Sequence, residues 1–174
     1  MVSKDIIKEH LFDTVGFKNR EEKVALGIAA MEIMYHFAET LLELDKPIIL
    51  ESNFENVSKP GLLKIIEKFG CKTVTVRFHS DIQVLSERFL ARDRAPERHR
   101  GHVINTCYPE SREALSVETP PINIDKYYVA MKQRGMEDFS VGGEEIIVDS
   151  TDFSKISYDA IYTEIKKLVI RITG

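Results

Sequence analysis

The chain has 174 residues, which is the length of one ordinary domain with its own hydrophobic core. Its composition, 43% hydrophobic and 30% charged, is typical of a soluble globular protein. A formal net charge of −4 argues against a generally nucleic-acid-binding surface but leaves room for a local basic patch. Cys71 and Cys107 show neither disulfide-framework nor metal-site spacing, which favours a reducing compartment. We therefore predict a single cytoplasmic domain that spans residues 1–174.

Neither the N-terminus nor the longest apolar segment predicts a membrane partner. The first five residues already carry charge and lack the apolar core of a signal peptide. The longest helical pattern, residues 24–44, is interrupted by Glu32, His36 and Glu39, so we expect that it does not span a bilayer.

The first third of the chain predicts two helices. Ser3 or Asp5 can cap a helix over residues 6–13, and Asn19, with Glu22 three residues later, has the pattern that begins a second, longer helix. Apolar side chains at spacings of three and four predict that the second helix lays one stripe on a sheet, with methionines as core filler. The stripe consists of Val24, Ile28, Met31, Met34, Phe37, Leu41 and Leu44.

A short apolar run follows and ends on polar residues. Residues 47–50 predict a parallel strand that is buried on both faces, and the strand delivers Glu51 and Asn53 to its carboxyl end. In open α/β sheets that edge is where ligands bind. Glu51 is therefore either a metal-side or water-positioning group, or simply an acid at the start of the next helix.

The rest of the chain alternates helices with strands. The predicted elements are a helix from Ser58 and Pro60 to Phe69, a strand over 72–78, a helix capped by Ser80 or Asp81 and reaching 93, a helix over 124–134, a strand over 145–148 and a helix over 158–172. Residues 94–143 hold four of the six prolines and predict a lid and substrate region. This order indicates an α/β fold, a parallel sheet with helices on both faces.

Five segments, taken in chain order, resemble those of a known group. They are Ser3-Lys4-Asp5-Ile6-Ile7-Lys8-Glu9, Glu51-Ser52-Asn53-Phe54, Ser86-Glu87-Arg88-Phe89-Leu90-Ala91-Arg92, Arg98-His99-Arg100-Gly101-His102 and Val148-Asp149-Ser150-Thr151. Together they resemble the small P-loop kinases, specifically the predicted-kinase or AAA-domain proteins related to zeta-toxin-like and polynucleotide-kinase-like phosphotransferases. The resemblance covers most of the chain.

The resemblance implies a P-loop NTPase-like parallel sheet with an Arg-rich lid, and ATP-dependent phosphoryl transfer to a small-molecule or nucleoside-type hydroxyl. ATP and Mg²⁺ would be the cofactors, and the partners would be a nucleotide and a small-molecule substrate. Members of the group begin with a strand, a Gly-x-x-x-x-Gly-Lys-Ser/Thr loop and a helix that this sequence lacks. None of its nine glycines is followed by Lys-Ser or Lys-Thr.

That departure leaves several expectations open. Either the chain starts at an internal Met of a longer kinase, which we favour, or it is a short relative whose two halves pair directly. Without the phosphate cradle we expect impaired or absent turnover. The alternatives are a non-catalytic nucleotide- or phosphate-binding module, and an interaction protein that forms a homodimer through exposed strand edges.

An arginine cluster is the first candidate site. Arg88 and Arg92 are four residues apart, so they share one helix face. Permanently charged, planar guanidinium groups suit the negative charge that phosphoryl transfer spreads over oxygen atoms. The resemblance implies that Arg88, Arg92 and Arg98 face ATP phosphates, whereas a solvated, charged helix is the plainer interpretation.

The acidic candidates follow from the same resemblance. Asp5 would accept a proton from the substrate hydroxyl, although an N-cap is its rival role. Glu51 would contact Mg²⁺ through water. Asp149, Ser150 and Thr151 resemble the turn beside the adenine. His99 and His102 lack supporting ligands for zinc, so a capping or phosphate-contacting role is favoured over a metal site.

Overall fold

The computed structural model describes residues 1–110 and 124–173, and they form a mixed α/β structure. The elements are β1 Val2–Ser3, α1 Lys4–Val15, α2 Arg20–Glu43, β2 Leu50–Glu51, a 3₁₀ turn Asn56–Ser58, α3 Lys59–Phe69, β3 Val74–His79, α4 Ile82–Arg94, α5 Arg100–Val103, α6 Ile124–Gln133, β4 Glu144–Asp149, a 3₁₀ turn Phe153–Lys155 and α7 Tyr158–Thr173. The chain divides into two compact units. Unit 1 is Met1–Asn53 with Leu90–Asn123, and unit 2 is Phe54–Phe89 with Ile124–Gly174.

Unit 1 is built on two helices that pack against each other. Helix α1 packs on α2 and on the short helix α5, and β1 pairs in parallel with β2. The side chains of Phe12 on α1 and Met34 on α2 are completely buried. The Asn19 side chain accepts a hydrogen bond from the Glu22 N–H at 2.9 Å, so the predicted cap of α2 is confirmed.

The predicted strand over residues 47–50 is wrong in length and burial. Only Leu50 and Glu51 form β2, and Ile49 is 65% exposed. The physical reason is that β2 has one strand neighbour in the described parts of the chain, the two-residue β1, so it is not covered on both faces.

The predicted apolar stripe of α2 is also partly wrong. Val24, Ile28 and Phe37 are exposed, although Met31 and Met34 are buried. The buried face consists of Lys23, Ala30, Met31, Met34, Tyr35 and Ala38. Helix α2 packs against α1 and β1 with the face that bears its small residues. The opposite side of the helix, which bears Val24 and Ile28, is therefore exposed to solvent.

Helix α2 is, by length and composition alone, long and apolar enough to cross a membrane, and it is the one helix of the described ranges that passes this test. The core helix of a soluble protein passes the same test. The sequence argument that Glu32, His36 and Glu39 exclude a span therefore does not hold on composition, since the rest of the helix is apolar enough to offset them.

Unit 2 contains the longer sheet. Strands β3 and β4 pair in parallel over six residues each, from Val74 opposite Glu144 to His79 opposite Asp149, and α7 packs on both. Gly70 ends α3 in the left-handed conformation with a φ of 61°, as its position after Phe69 predicts. All predicted helices and strands of this unit are present, with ends shifted by one or two residues.

The mixed α/β class and the parallel pairing are thus confirmed. In the described residues the strands form two separate two-stranded sheets, β1 with β2 and β3 with β4. The finer expectation, a P-loop NTPase-like sheet, stays a prediction, as does a single domain over residues 1–174. The lid and substrate region falls partly on residues 111–123, which lie outside the described residues.

Candidate functional site

The first candidate, Asp5, lies in the first turn of α1 with an exposed side chain. Its rival role as N-cap belongs to Ser3, whose hydroxyl accepts a hydrogen bond from the Ile6 N–H at 3.5 Å. Within the described part of the chain, no hydrogen bond to the Asp5 carboxylate is formed. That carboxylate is consequently available to a ligand.

Two cationic side chains, Lys8 and Arg98, interact electrostatically with Asp5. Burial lowers the pKa of Lys8 and of Arg98, and the nearby Asp5 carboxylate opposes the shift in both. Lys8 lies one helical turn beyond Asp5 on α1, and its ammonium is 5.4 Å from the centre of the Phe12 ring. Sequence reasoning did not single out Lys8, although the spacing of Asp5 and Lys8 on one helix face was a usable signal.

Arg92 and Arg98 flank one carboxylate. Their Nε atoms lie 3.7 Å and 3.6 Å from Oδ1 of Asp93. Arg98 is 16% exposed, and its buried Nε has no hydrogen-bond partner among residues 1–110 and 124–173. Its pKa is lowered by burial first and by the charge of Arg92 second. The carboxylates of Asp5, Asp93 and Glu9 oppose the lowering of the Arg98 pKa, so this part of unit 1 brings cationic and acidic side chains together.

Glu51 stands at the carboxyl end of β2, as predicted. Ser3, which ends the neighbouring strand β1, donates a hydrogen bond from its hydroxyl to Oε2 of Glu51. In the described ranges, no group of three or more His, Cys, Asp or Glu side chains could hold a metal ion. An Mg²⁺ ion that is also coordinated by nucleotide phosphates needs only one or two protein carboxylates. Glu51 can supply one of them.

Arg88 belongs to unit 2, whereas Arg92 and Arg98 belong to unit 1, and its contacts differ from theirs. Its Nη1 donates to the carbonyl oxygen of Ser150 and, at 3.4 Å, to the hydroxyl of Ser80. Its Nη2 donates to the carbonyl oxygen of Thr151 at 2.7 Å, and its guanidinium carbon lies 3.8 Å from the centre of the Phe153 ring. The three arginines therefore make different contacts and do not form one continuous row of guanidinium groups.

The turn at Asp149, Ser150 and Thr151 is well ordered by hydrogen bonds to the end of β3. The Ser150 N–H and hydroxyl both donate to the carbonyl oxygen of His79 at 2.7 Å. A hydrogen bond from the Thr151 side chain is the main cause that lowers the pKa of Asp149, and the Thr151 N–H, which donates to Oδ1 of Asp149 at 2.9 Å, lowers it further. Asp149 and Thr151 also line a groove of about 530 Å³ between β4 and α7.

The two histidines of residues 98–102 bind protein groups. Nδ1 of His99 accepts from the Gly101 N–H at 3.0 Å and caps α5, so its Nε2 donates to Oδ1 of Asp13 at 3.1 Å. Nε2 of His102 lies 2.9 Å from Oε1 of Glu9. Burial lowers the pKa of His102 to about 4. Both rings thus anchor α5 to α1.

The fold is kinase-like. Over 95% of this chain and 82% of the other, it superimposes with a TM-score of 0.73 and 25% sequence identity on a crystal structure described as a "putative kinase" from Chloroflexus aurantiacus J-10-fl. No family model matches the sequence, and no curated protein does. At the coarse level, the likeness supports a kinase-like function, a transferase of phosphoryl groups.

Proposed function

We propose that the chain is a P-loop-kinase-like protein whose chemistry is ATP- and Mg²⁺-dependent phosphoryl transfer to a hydroxyl of a small molecule or nucleoside. The observation that carries the proposal is the likeness to a protein described as a kinase, over nearly the whole chain. The motif order of the sequence supports the narrower assignment to the zeta-toxin-like and polynucleotide-kinase-like group.

Unit 1 supplies groups that suit this chemistry. Asp5 is the proposed general base, because it is exposed, without a hydrogen bond from the described residues, and able to reach a hydroxyl in solution. Arg92 and Arg98 would stabilise charge on the transferring oxygens, with Lys8 beside them. Glu51 would hold Mg²⁺ through water. When bound, that ion would neutralise phosphate charge.

Unit 2 supplies the proposed nucleotide-side residues. Asp149, Ser150 and Thr151 follow the carboxyl end of β4, which is the ligand-binding edge of parallel sheets. Thr151 and Asp149 line the groove between β4 and α7, so a ligand there would meet a fixed turn rather than a loose loop.

The 174 residues contain no Gly-x-x-x-x-Gly-Lys-Ser/Thr loop, and that loop holds phosphates through its backbone N–H groups and its lysine. We therefore expect these residues by themselves to show little or no turnover. A version preceded by a strand, such a loop and a helix, roughly 25 to 35 residues, should bind ATP·Mg²⁺ and transfer phosphate. Micromolar ATP binding by the 174 residues in calorimetry would show that the loop is dispensable.

Asp5→Asn in the loop-bearing version tests the role of the base. General-base catalysis contributes typically about 10²- to 10⁴-fold, so kcat should fall by that order while ATP binding persists. The matched control is Asp45→Asn, because Asp45 is exposed in unit 1 and its φ of 54° suits Asn as well. An equal kcat for Asp5→Asn and the control would remove Asp5 from the mechanism.

The second candidate is a non-catalytic nucleotide- or phosphate-binding module, which the missing loop favours. Joint replacement of Arg92 and Arg98 by Ala separates the two functions. A kinase should lose mainly kcat, whereas a binding module should lose mainly affinity for ATP and have no turnover to lose. Arg171→Ala is the control, since Arg171 pairs with Glu144 on the surface of unit 2.

A further inference from the structure

Strand β4 has an unpaired backbone edge in the described residues. The N–H groups of Glu144 and Ser150 donate to carbonyl oxygens on the β3 side, at 2.9 Å and 2.7 Å. Backbone groups of successive residues point to alternate sides of a strand, so the odd-numbered residues of β4 direct their N–H and C=O groups away from β3. No strand of the described ranges pairs with β4 on that side. The residues with unpaired backbone groups are Glu145, Ile147 and Asp149.

The groove between β4 and α7 runs along this edge. Ile146 and Val148 lie on one face of the strand and Ile147 lies on the other, because successive side chains alternate. Ile147 is 56% exposed and Val148 is 8% exposed. All three residues line the groove. The groove therefore includes the edge of the strand and is not confined to one face.

The centre of the edge is apolar. Natural proteins protect edge strands with lysine, proline or other charged residues, but residues 146–148 are Ile-Ile-Val. On the α7 side the groove is lined by Ile156, Ala160 and Ile161. An extended segment that paired with β4 would place every second side chain against these apolar groups.

Asp149 is the carboxylate of this edge that has no ion pair in the parts of the chain that the structure describes. Glu145, on the same face of β4, pairs with Arg77 at 2.9 Å. A hydrogen bond from the Thr151 side chain is the main cause that lowers the pKa of Asp149, so its carboxylate is ionised at neutral pH. The groove's other two aspartate and glutamate side chains pair with lysines, Asp152 with Lys155 and Glu164 with Lys167. The edge therefore combines an apolar centre with one unpaired negative charge.

A second copy of β4 does not fit this edge. Antiparallel pairing centred on Ile147 would place Asp149 of each copy opposite Glu145 of the other, and like charges directly opposite each other destabilise a sheet. A strand with a basic residue at that position has the complementary charge.

We propose that the free edge of β4 is a docking site for an extended segment of another protein, a segment that alternates basic residues with β-branched apolar residues. Its main chain pairs with residues 145–149, its basic side chains lie on the face that bears Asp149, and its apolar side chains lie against Ile146 and Val148. This inference goes beyond the proposed phosphoryl transfer and does not rest on it.

The test uses two peptides with blocked termini, Val-Lys-Val-Lys-Val-Lys-Val and the same peptide with glutamate in place of lysine. Each is titrated into the 174-residue protein and followed by NMR of backbone amides. We expect the lysine peptide to bind about tenfold or more tightly than the glutamate peptide. It should slow amide hydrogen exchange about tenfold at residues 145, 147 and 149. Exchange at residues 146 and 148, whose N–H groups face β3, should change much less.

Two variants complete the test. Ile147→Pro removes an N–H group that faces away from β3 and should abolish binding, whereas Ile147→Val keeps the N–H group and should bind as wild type does. Asp149→Asn should remove most of the preference for the lysine peptide, and this variant decides the question if Ile147→Pro does not fold. Equal affinity for the two peptides, or binding without the alternating pattern of exchange, would overturn the inference. Slow exchange at residues 145, 147 and 149 without peptide, if it depended on protein concentration, would assign the edge to a second copy and would also overturn it.

Discussion

Lys23 is a buried cation whose hydrogen bonds are all satisfied. It is 4% exposed, and its ammonium donates to the carbonyl oxygens of His102 and Ile104 and to Oδ1 of Asn105. Burial is the main cause that lowers its pKa to about 8, and the charges of Lys8 and Arg20 add to the shift. Below that pH the three oxygens bind a charged lysine, and these hydrogen bonds connect α2 to α5 and to the residues that follow α5.

Lys23→Met should destabilise the protein by about 1–3 kcal/mol, because buried carbonyl oxygens lose their donor and methionine cannot replace it. Urea unfolding at about pH 7 measures the change. Lys18→Met is the control, since Lys18 is an exposed lysine of the same unit. If the two variants were equally stable, the hydrogen bonds of Lys23 would contribute nothing net.

The stability of the protein should fall in mild acid because of His102. Its folded pKa of about 4 lies below the ordinary value of 6.5, with burial as the main cause; Asp5 opposes the shift, while Arg98, Lys8 and His99 favour it. Between these two values the unfolded chain binds more protons. The stabilising contribution is complete above about pH 6.5 and is lost as the pH falls towards 4.

Urea unfolding of wild type at about pH 7 and about pH 5 should show a loss of order 1–2 kcal/mol from this group. His102→Gln should flatten that part of the pH dependence. His10→Gln should not, because His10 is exposed on the same helix that carries the partner Glu9. A pH dependence that is identical in wild type and His102→Gln would contradict the assignment.

At the scale of the element, α2 depends on its first turn. The Asn19 side chain caps the helix, and Glu22 accepts a further hydrogen bond from the Lys18 N–H at 2.7 Å. Asn19→Ala should cost about 1 kcal/mol of stability, measured by thermal or urea unfolding. Asn19→Ser, which keeps an acceptor, should recover most of that loss. Equal stability of the two variants would mean that solvent satisfies the helix end.

Helix ends were the most predictable feature of the sequence. Asn19, Pro60, Gly70 and Asp81 each act within a few residues, so the chain itself carries the signal. The orientation of α2 could not be predicted in the same way. Apolar residues occur on several sides of this helix, and its packing against α1 and β1 decides which side is buried. The apolar run at 47–50 likewise does not show how many strands lie beside it.

The same distinction between local sequence signals and tertiary packing applies to the residues of the candidate site. Asp5, Glu51 and the arginines stand out by residue type and position, and the structure gives each a place without testing its role. Lys23 was missed because lysines are normally surface residues, and its burial follows from tertiary packing alone. Likewise, the engagement of Arg88 with a turn sixty residues away leaves no trace in a spacing pattern.

At the scale of the whole molecule, each two-stranded sheet of the described residues has unpaired strand edges. In the described residues, β2 and β3 each have one strand neighbour, and Phe78 on β3 is 55% exposed. Unpaired strand edges are templates for pairing with another strand. We therefore propose homodimer formation through β3.

Light scattering over a range of concentrations should show a mass that rises from one chain towards two. Phe78→Lys should hold the protein as a monomer, because a charge beside the edge disfavours pairing. Phe37→Lys is the control, since Phe37 is an exposed phenylalanine on α2 rather than on a strand. A mass that is independent of concentration in wild type would argue against the dimer.

The pKa of Lys23 also bears on how this protein reacts with acylating reagents. At about pH 8 roughly half of its amines would be free base, the form that reacts with acylating reagents, which is a far larger share than for an ordinary lysine. Its enclosure keeps reagents away while residues 102–105 remain seated over it. The rate of Lys23 acylation would therefore report how often residues 102–105 move away from the amine. An acylated Lys23 would prevent those residues from packing over it again.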